Sequence, residues 1–197
     1  MSETAITLAL HGLENLDEKT RAGLVWLMRR EFEPIVSDAG KRLRITTGDL
    51  QADLNISFDA EPEAAGRRAC TGIVWLGEDV TGSVSIGGHQ SLRVCGPADP
   101  GTRRRDVRRV LTNHWLMAHS LANTAMHELG HFIADFEHST DPRNYMVTGS
   151  LPVRQRNIRS QREFFAGQKS FTAEQRQALA TQLRTEQWLG DMTIVTR

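Results

Sequence analysis

The stretch "HELGHFIADFEHSTDPRNYM", His127 to Met146, decides how the rest of the chain is read. Its first five residues spell H-E-x-x-H, with His127, Glu128 and His131 in the fixed places. On a helix, residues four apart share a face, so the two imidazoles stand side by side. Neutral imidazoles are good ligands for Zn²⁺. Glu128 sits about 100° around the helix from His127, where it can reach a water on the ion without being a ligand. The longest common form of this pattern continues x-x-G-x-x-H. Here those places hold Ala134 and Glu137, and a histidine, His138, comes one residue late. Either the site is broken at its third ligand or it has shifted by one residue.

Upstream, Leu111, Trp115, Ala118, Ala122, Ala125, Leu129 and Phe132 follow at three- and four-residue steps. They predict one apolar stripe on a long helix from about Arg105 to Ala134, with His127 and His131 roughly opposite. His114 and His119 lie off the ligand face, and surface or core-edge roles suit them. His11 and His89 carry no spacing signal.

The remaining elements follow from periodicity. "AITLALHG" reads as a strand with Ile6, Leu8 and Leu10 on one face. Leu24, Leu27, Met28, Phe32 and Ile35 recur at helical spacing from Asp17, a plausible N-cap, to about Ser37. Two strands follow, one with Leu43 and Ile45, the other with Leu54, Ile56 and Phe58. Gly48 and Asp49 fall in their connection. "GIVWLG", "GSVSIGG" and "SLRVCG" are short β-like runs, and "GPADPG" is a break. The last helix starts with a capping box, Thr172 as N-cap and Gln175 at N3. The expected class is α+β: a twisted mixed sheet carrying helices, then a smaller irregular part that ends in a helix. We expect a single domain over 1–197, with subdomains of about 1–135 and 136–197.

Composition excludes little but points away from some partners. Among 197 residues, 24 Lys plus Arg balance 24 Asp plus Glu, so charge gives no reason to expect nucleic acid or an anionic membrane. "RRRDVRR", Arg103 to Arg109, reads as a solvated helix start. No apolar run approaches the ~18 residues of a membrane span. No basic stretch followed by a long apolar core opens the chain, so the default expectation is cytoplasmic, or export by a leaderless route. Cys70 and Cys95 do not make a disulfide framework. A monomer is the default.

At His127–Met146 the sequence resembles the metzincin metalloproteases, most closely the matrixin group. "HSTDPRNYM" is similar to the matrixin segment that begins at the third histidine and reaches the methionine of the turn below the metal. "DLQADLNISF" and "SFTAEQRQAL" resemble, in order, a sheet strand and the last helix of that group. The resemblance implies a metzincin-like catalytic domain, Zn²⁺ as cofactor, and a peptide or protein substrate bound as an extended strand. It implies Met146 as the turn methionine. The family's glycine leaves the helix with positive φ. Asp135 tolerates that region better than Ala134 does. If Asp135 makes the turn, "D-F-E-H" reproduces "G-x-x-H" and His138 becomes the third ligand. The competing reading keeps the original spacing and makes Glu137 the ligand, which puts Met146 out of register. Tyr145, beside the methionine, is a candidate for stabilising an oxyanion. "TGSVSIGG", Thr81 to Gly88, is the candidate substrate edge, with "GIVWLG" its rival. "LRVCGPADPG" looks like the cysteine latency motif of matrixin propeptides, but Cys95 lies after the position where such a motif belongs.

The activity these features imply is hydrolysis of a peptide bond by metal-activated water, with Glu128 as general base. Two alternatives stand beside it. One is a metal-dependent hydrolase of a non-peptide amide; the other is a binding protein on an inactive protease fold.

Overall fold

The structure is a computed structural model that describes residues 4–47, 52–59, 73–75, 81–85, 114–147 and 158–186. The expectations for Gly48, Asp49, Cys70, His89, Cys95, the arginine run and residues 105–113 of the long helix lie outside these residues.

Alternating apolar residues produce the first strand, β1 (Ala5–His11). Ile6, Leu8 and Leu10 are buried, as is Ala9 on the other face. Burial on both faces fits a central strand in a parallel arrangement. β1 pairs in parallel with β2 (Arg42–Thr47) on one side and β3 (Leu54–Asp59) on the other. The register sets Leu8 beside both Ile45 and Leu54. β5 (Thr81–Ser85) adds in parallel to β3, and β4 (Ile73–Trp75) closes the order β2-β1-β3-β5-β4 as an antiparallel strand. This corrects the expected substrate edge. Thr81–Ser85 has neighbours on both sides, and the rival stretch, β4, takes the outer place among the described residues. Both runs have the same β-like composition, and composition says nothing about which partner each will find.

Helix α1 (Glu18–Asp38) buries Leu24, Leu27, Met28, Phe32 and Ile35 on the predicted face. Each such side chain contributes about 1.5–3 kcal/mol on burial. A cap supplies about 1 kcal/mol, so packing places this helix and capping trims its start. α1 packs against β2 and against α2 (His114–Ala134). α2 in turn touches β4, β5 and the two later helices, α3 (Ile158–Ala166) and α4 (Ala173–Thr185). It is therefore buried on more than one stripe: Leu121, Met126 and Ile133 join Ala118, Ala125 and Leu129 in the core. Trp115 is the correction within the stripe. It is 46% exposed and leans on Trp26 of α1 at 5.7 Å between ring centroids.

α4 begins with the predicted capping box: Gln175 N donates to Thr172 Oγ1, and Thr172 N donates to Gln175 Oε1. It is joined to the far end of α1. Arg176 meets Asp38 at 2.9 Å, and buried Lys41 meets Glu186 at 2.5 Å. No described helix is long and apolar enough to cross a membrane.

At the start of α1, the Asp17 carboxylate accepts from Thr20 N at 3.0 Å and stands 2.9 Å from His114 Nδ1 of α2. Desolvation works to raise its pKa, but the hydrogen bonds from Thr20 and the neighbouring His114 outweigh it and hold the carboxyl at about 2. The unfolded chain therefore takes up this proton first as pH falls. The cap's contribution is full above the ordinary value of 3.8 and is lost on the way down to about 2. Urea unfolding should show Asp17→Ala about 1 kcal/mol less stable than the parent near pH 5. That gap should close as pH approaches 2.

Candidate metal centre

The shift of one residue at the third histidine has a visible cause. α2 ends at Ala134, and Asp135 has φ 48°, in the left-handed region. Its N–H donates to the His131 carbonyl at 2.9 Å. This is a left-handed turn of the kind with which helices commonly end, and Phe136 N donates further back, to the Gly130 carbonyl at 3.4 Å. A short polar side chain makes the conformation accessible to aspartate where alanine would resist it. After that turn, Phe136 and Glu137 carry the chain to His138, which faces back across the end of the helix.

His127, His131 and His138 form a cluster whose ligand atoms all lie within 4.8 Å of one another. Nε2 of His131 is 3.0 Å from Nε2 of His127 and 3.3 Å from Nε2 of His138. Two ligands about 2.0–2.1 Å from one tetrahedral ion stand about 3.3–3.4 Å apart, so the observed spacing suits such an ion. The opposite ring nitrogens are already engaged. His127 Nδ1 donates to the Tyr145 carbonyl at 2.7 Å, and His131 Nδ1 donates to the Phe136 carbonyl at 2.6 Å. A carbonyl can only accept, so both rings carry their proton on Nδ1 and present a bare lone pair at Nε2. Facing lone pairs at this distance repel unless a proton or a cation lies between them. Burial disfavours the proton. Burial first, with help from the neighbouring imidazoles, lowers His127 to about 4 against the pull of the Tyr145 carbonyl. Burial also lowers His131. The donor set therefore fits a divalent cation with an affinity for imidazole, zinc first among them.

The turn below the site is held from several directions. Met146 is fully buried, and its backbone N–H donates to Asn144 Oδ1 at 2.8 Å. Asn144 Nδ2 donates to Gln175 Oε1, so the capping box of α4 also anchors the turn. Tyr145 N donates to the Ser170 carbonyl, and Ser170 N to the Arg143 carbonyl. The methionine sulfur packs where Gly130 has no side chain. A Cβ there would collide with Met146 Sδ and press on the Phe171 ring at 3.1 Å.

Tyr145 departs from its expected role. Its hydroxyl is hydrogen-bonded to Glu31 of α1, and burial together with that carboxylate pushes its pKa far up. Its ring leans on Phe171 at 4.9 Å. What it offers the site is its carbonyl, not its phenol. Glu128 is 7% exposed and lies in the seam between α2 and β3, beside Leu54, Asn55 and Ile56. Burial raises its carboxyl to about 8; a cation nearby would act in the opposite direction. Glu137 is exposed and is not part of the cluster. Among the other histidines, His114 pairs with Asp17, His119 meets the edge of Trp115, and His11 is bonded to Asn55 at 2.8 Å.

Sequence reasoning missed Gly130, Asn144 and Phe171. A glycine inside a helix at a cost of about 1 kcal/mol was a signal for close packing. The other two had none, because their partners are remote in the chain.

No family model matches the sequence, and no curated protein matches it. Among solved structures, the fold is similar to that of archaemetzincin from Methanopyrus kandleri, with a TM-score of 0.55 and 15% identity. The likeness covers 93% of this chain and 98% of that one. At this identity it shows the fold, which is α+β and metzincin-like.

Asp135→Ala should lower the stability of the metal-free protein by about 1 kcal/mol in urea unfolding, because alanine resists positive φ. Asp135→Gly should be tolerated. Equal stability of the two variants would mean that the turn is not where the structure sets it.

Proposed function

We propose that the chain is a zinc-dependent endopeptidase. One observation carries this reading: two imidazoles have Nδ1 tied back to carbonyls, and their Nε2 lone pairs converge with Nε2 of a third, His138. His127, His131 and His138 would hold the ion. Three protein ligands leave a position open, as in catalytic rather than structural zinc sites. When bound, zinc supplies Lewis-acid chemistry, lowering the pKa of a water and polarising a carbonyl.

The chain's own residues do the rest. Glu128, next to the first ligand and desolvated, takes the proton from the attacking water and delivers it to the leaving amine. Its burial strengthens its interaction with the reacting charges. The outer strand β4 offers backbone groups to an extended peptide, which adds to the sheet by strand augmentation. The archaemetzincin fold and the order of His138, Ser139 and Met146, similar to that in matrixins, support a peptidase over other hydrolases. An inactive binding protein would have no use for a buried carboxylate at Glu128.

Cleavage of casein by the zinc-loaded protein should stop on chelation and return with zinc. His138→Ala should lose the metal, and Glu137→Ala should keep it. Glu128→Ala should keep zinc while its cleavage rate falls roughly 10²–10⁴-fold. Zinc retained in His138→Ala and lost in Glu137→Ala would reverse the assignment of the third ligand. Hydrolysis of formyl peptides without casein cleavage would favour the non-peptide amide reading.

A further inference from the structure

Two lysines are buried among the described residues, and they differ in one respect. Lys41 is paired with Glu186 at 2.5 Å. Lys169, 7% exposed, has no such partner. Its Nζ donates to the Pro142 carbonyl at 2.6 Å and lies 5.0 Å from the centroid of the Phe164 ring. No carboxylate of the described residues reaches ion-pair distance. Asp141 attracts the ammonium only from farther off, and its Oδ1 accepts from Arg143 N. A buried charge without a counter-charge is costly, and proteins rarely keep one without a use.

Its place in the fold points to that use. The segment Gly167–Phe171 runs alongside α2. Gly167 O accepts from Asn123, one turn before His127, and the Phe171 ring lies against Gly130, about one turn after it. Lys169 falls midway along that segment, and its ammonium reaches Pro142, four residues after His138. The ammonium is thus held on the turn that follows His138, and among the described residues one of its three N–H donors is used. Burial lowers it to about 8, so it remains charged at neutral pH. Its four-carbon stem is flexible enough to swing toward an incoming group.

We propose that Lys169 is the recognition point for a carboxylate on the bound substrate. The placement of this residue in a reaction rests on the endopeptidase reading; the binding of a carboxylate does not. A desolvated ammonium forms strong charge-assisted hydrogen bonds to a carboxylate, and the same site rejects a neutral amide that leaves the charge unpaired. The carboxylate can come from an acidic side chain near the scissile bond or from the substrate's C-terminus.

Paired fluorogenic peptides separate these sources: Glu against Gln at each position flanking the cleaved bond, and free acid against C-terminal amide. The wild type should prefer one carboxylate-bearing member by roughly tenfold or more in kcat/KM. Lys169→Met should bring that ratio near one, and Lys169→Arg should keep it. Lys169→Gln, which can still donate to the Pro142 carbonyl, serves the same comparison if the methionine variant does not fold. Calorimetric titration of zinc-loaded Glu128→Ala protein with the same peptides reads binding without turnover. A preference in Kd that disappears with Lys169→Gln supports the proposal even if the wild type cleaves no peptide, a result that would sink only the endopeptidase reading. Equal kcat/KM and Kd within every pair, or a preference that survives both Lys169→Met and Lys169→Gln, overturns it.

Discussion

The hydrogen bonds from His127 and His131 to the carbonyls of Tyr145 and Phe136 are what the rest of the structure serves. Each fixes a tautomer, and each aims one lone pair at a common point. Neither carbonyl belongs to the helix that carries the histidines. The Phe136 carbonyl depends on the left-handed turn at Asp135. The Tyr145 carbonyl depends on a turn anchored by Asn144, Ser170 and Gln175. A helix alone could present two imidazoles, but it could not decide which nitrogen of each ring is free.

The surrounding core makes this arrangement stiff. α2 is wedged between α1, the sheet and the two later helices, so its imidazoles have little freedom to turn. The same burial weakens the proton as a competitor for the lone pairs. Beneath them, Met146 occupies the space left by Gly130. A soft, polarisable side chain fills an irregular gap of this kind well. The sheet contributes at a distance: β3 lines the seam where Glu128 lies.

Much of this was legible in the sequence because it is local. The capping box at Thr172, the cap at Asp17, the burial of Ile6, Leu8 and Leu10 and the left-handed turn at Asp135 depend on residues within a few positions. What stayed hidden is what long-range pairing decides. Thr81–Ser85 and Ile73–Trp75 look alike as strands, and only the hydrogen-bond ladder tells inner from outer. Trp115 fits the apolar stripe by spacing, yet nearly half of it stays exposed. Tyr145 was open to an oxyanion role or to ordinary packing, and the partner of its hydroxyl, Glu31, lies more than a hundred residues earlier. The sequence pattern from His127 to Met146 pointed to the matrixin group in particular, whereas the fold as a whole is similar to that of an archaemetzincin.

The bonds that anchor Asn144 and Tyr145 have a consequence in time. Chains emerge from the ribosome N-terminus first, at roughly 5–20 residues per second. β1, α1 and the first two histidines are made well before Ser170 and Gln175, which hold the turn carrying the Tyr145 carbonyl. His127 therefore cannot be locked into its ligand tautomer until the start of α4 has been translated. Completion of the three-histidine cluster is in this sense a closing event of biosynthesis, and a nascent chain stalled before Ser170 would carry both histidines of the H-E-x-x-H pattern without a finished site.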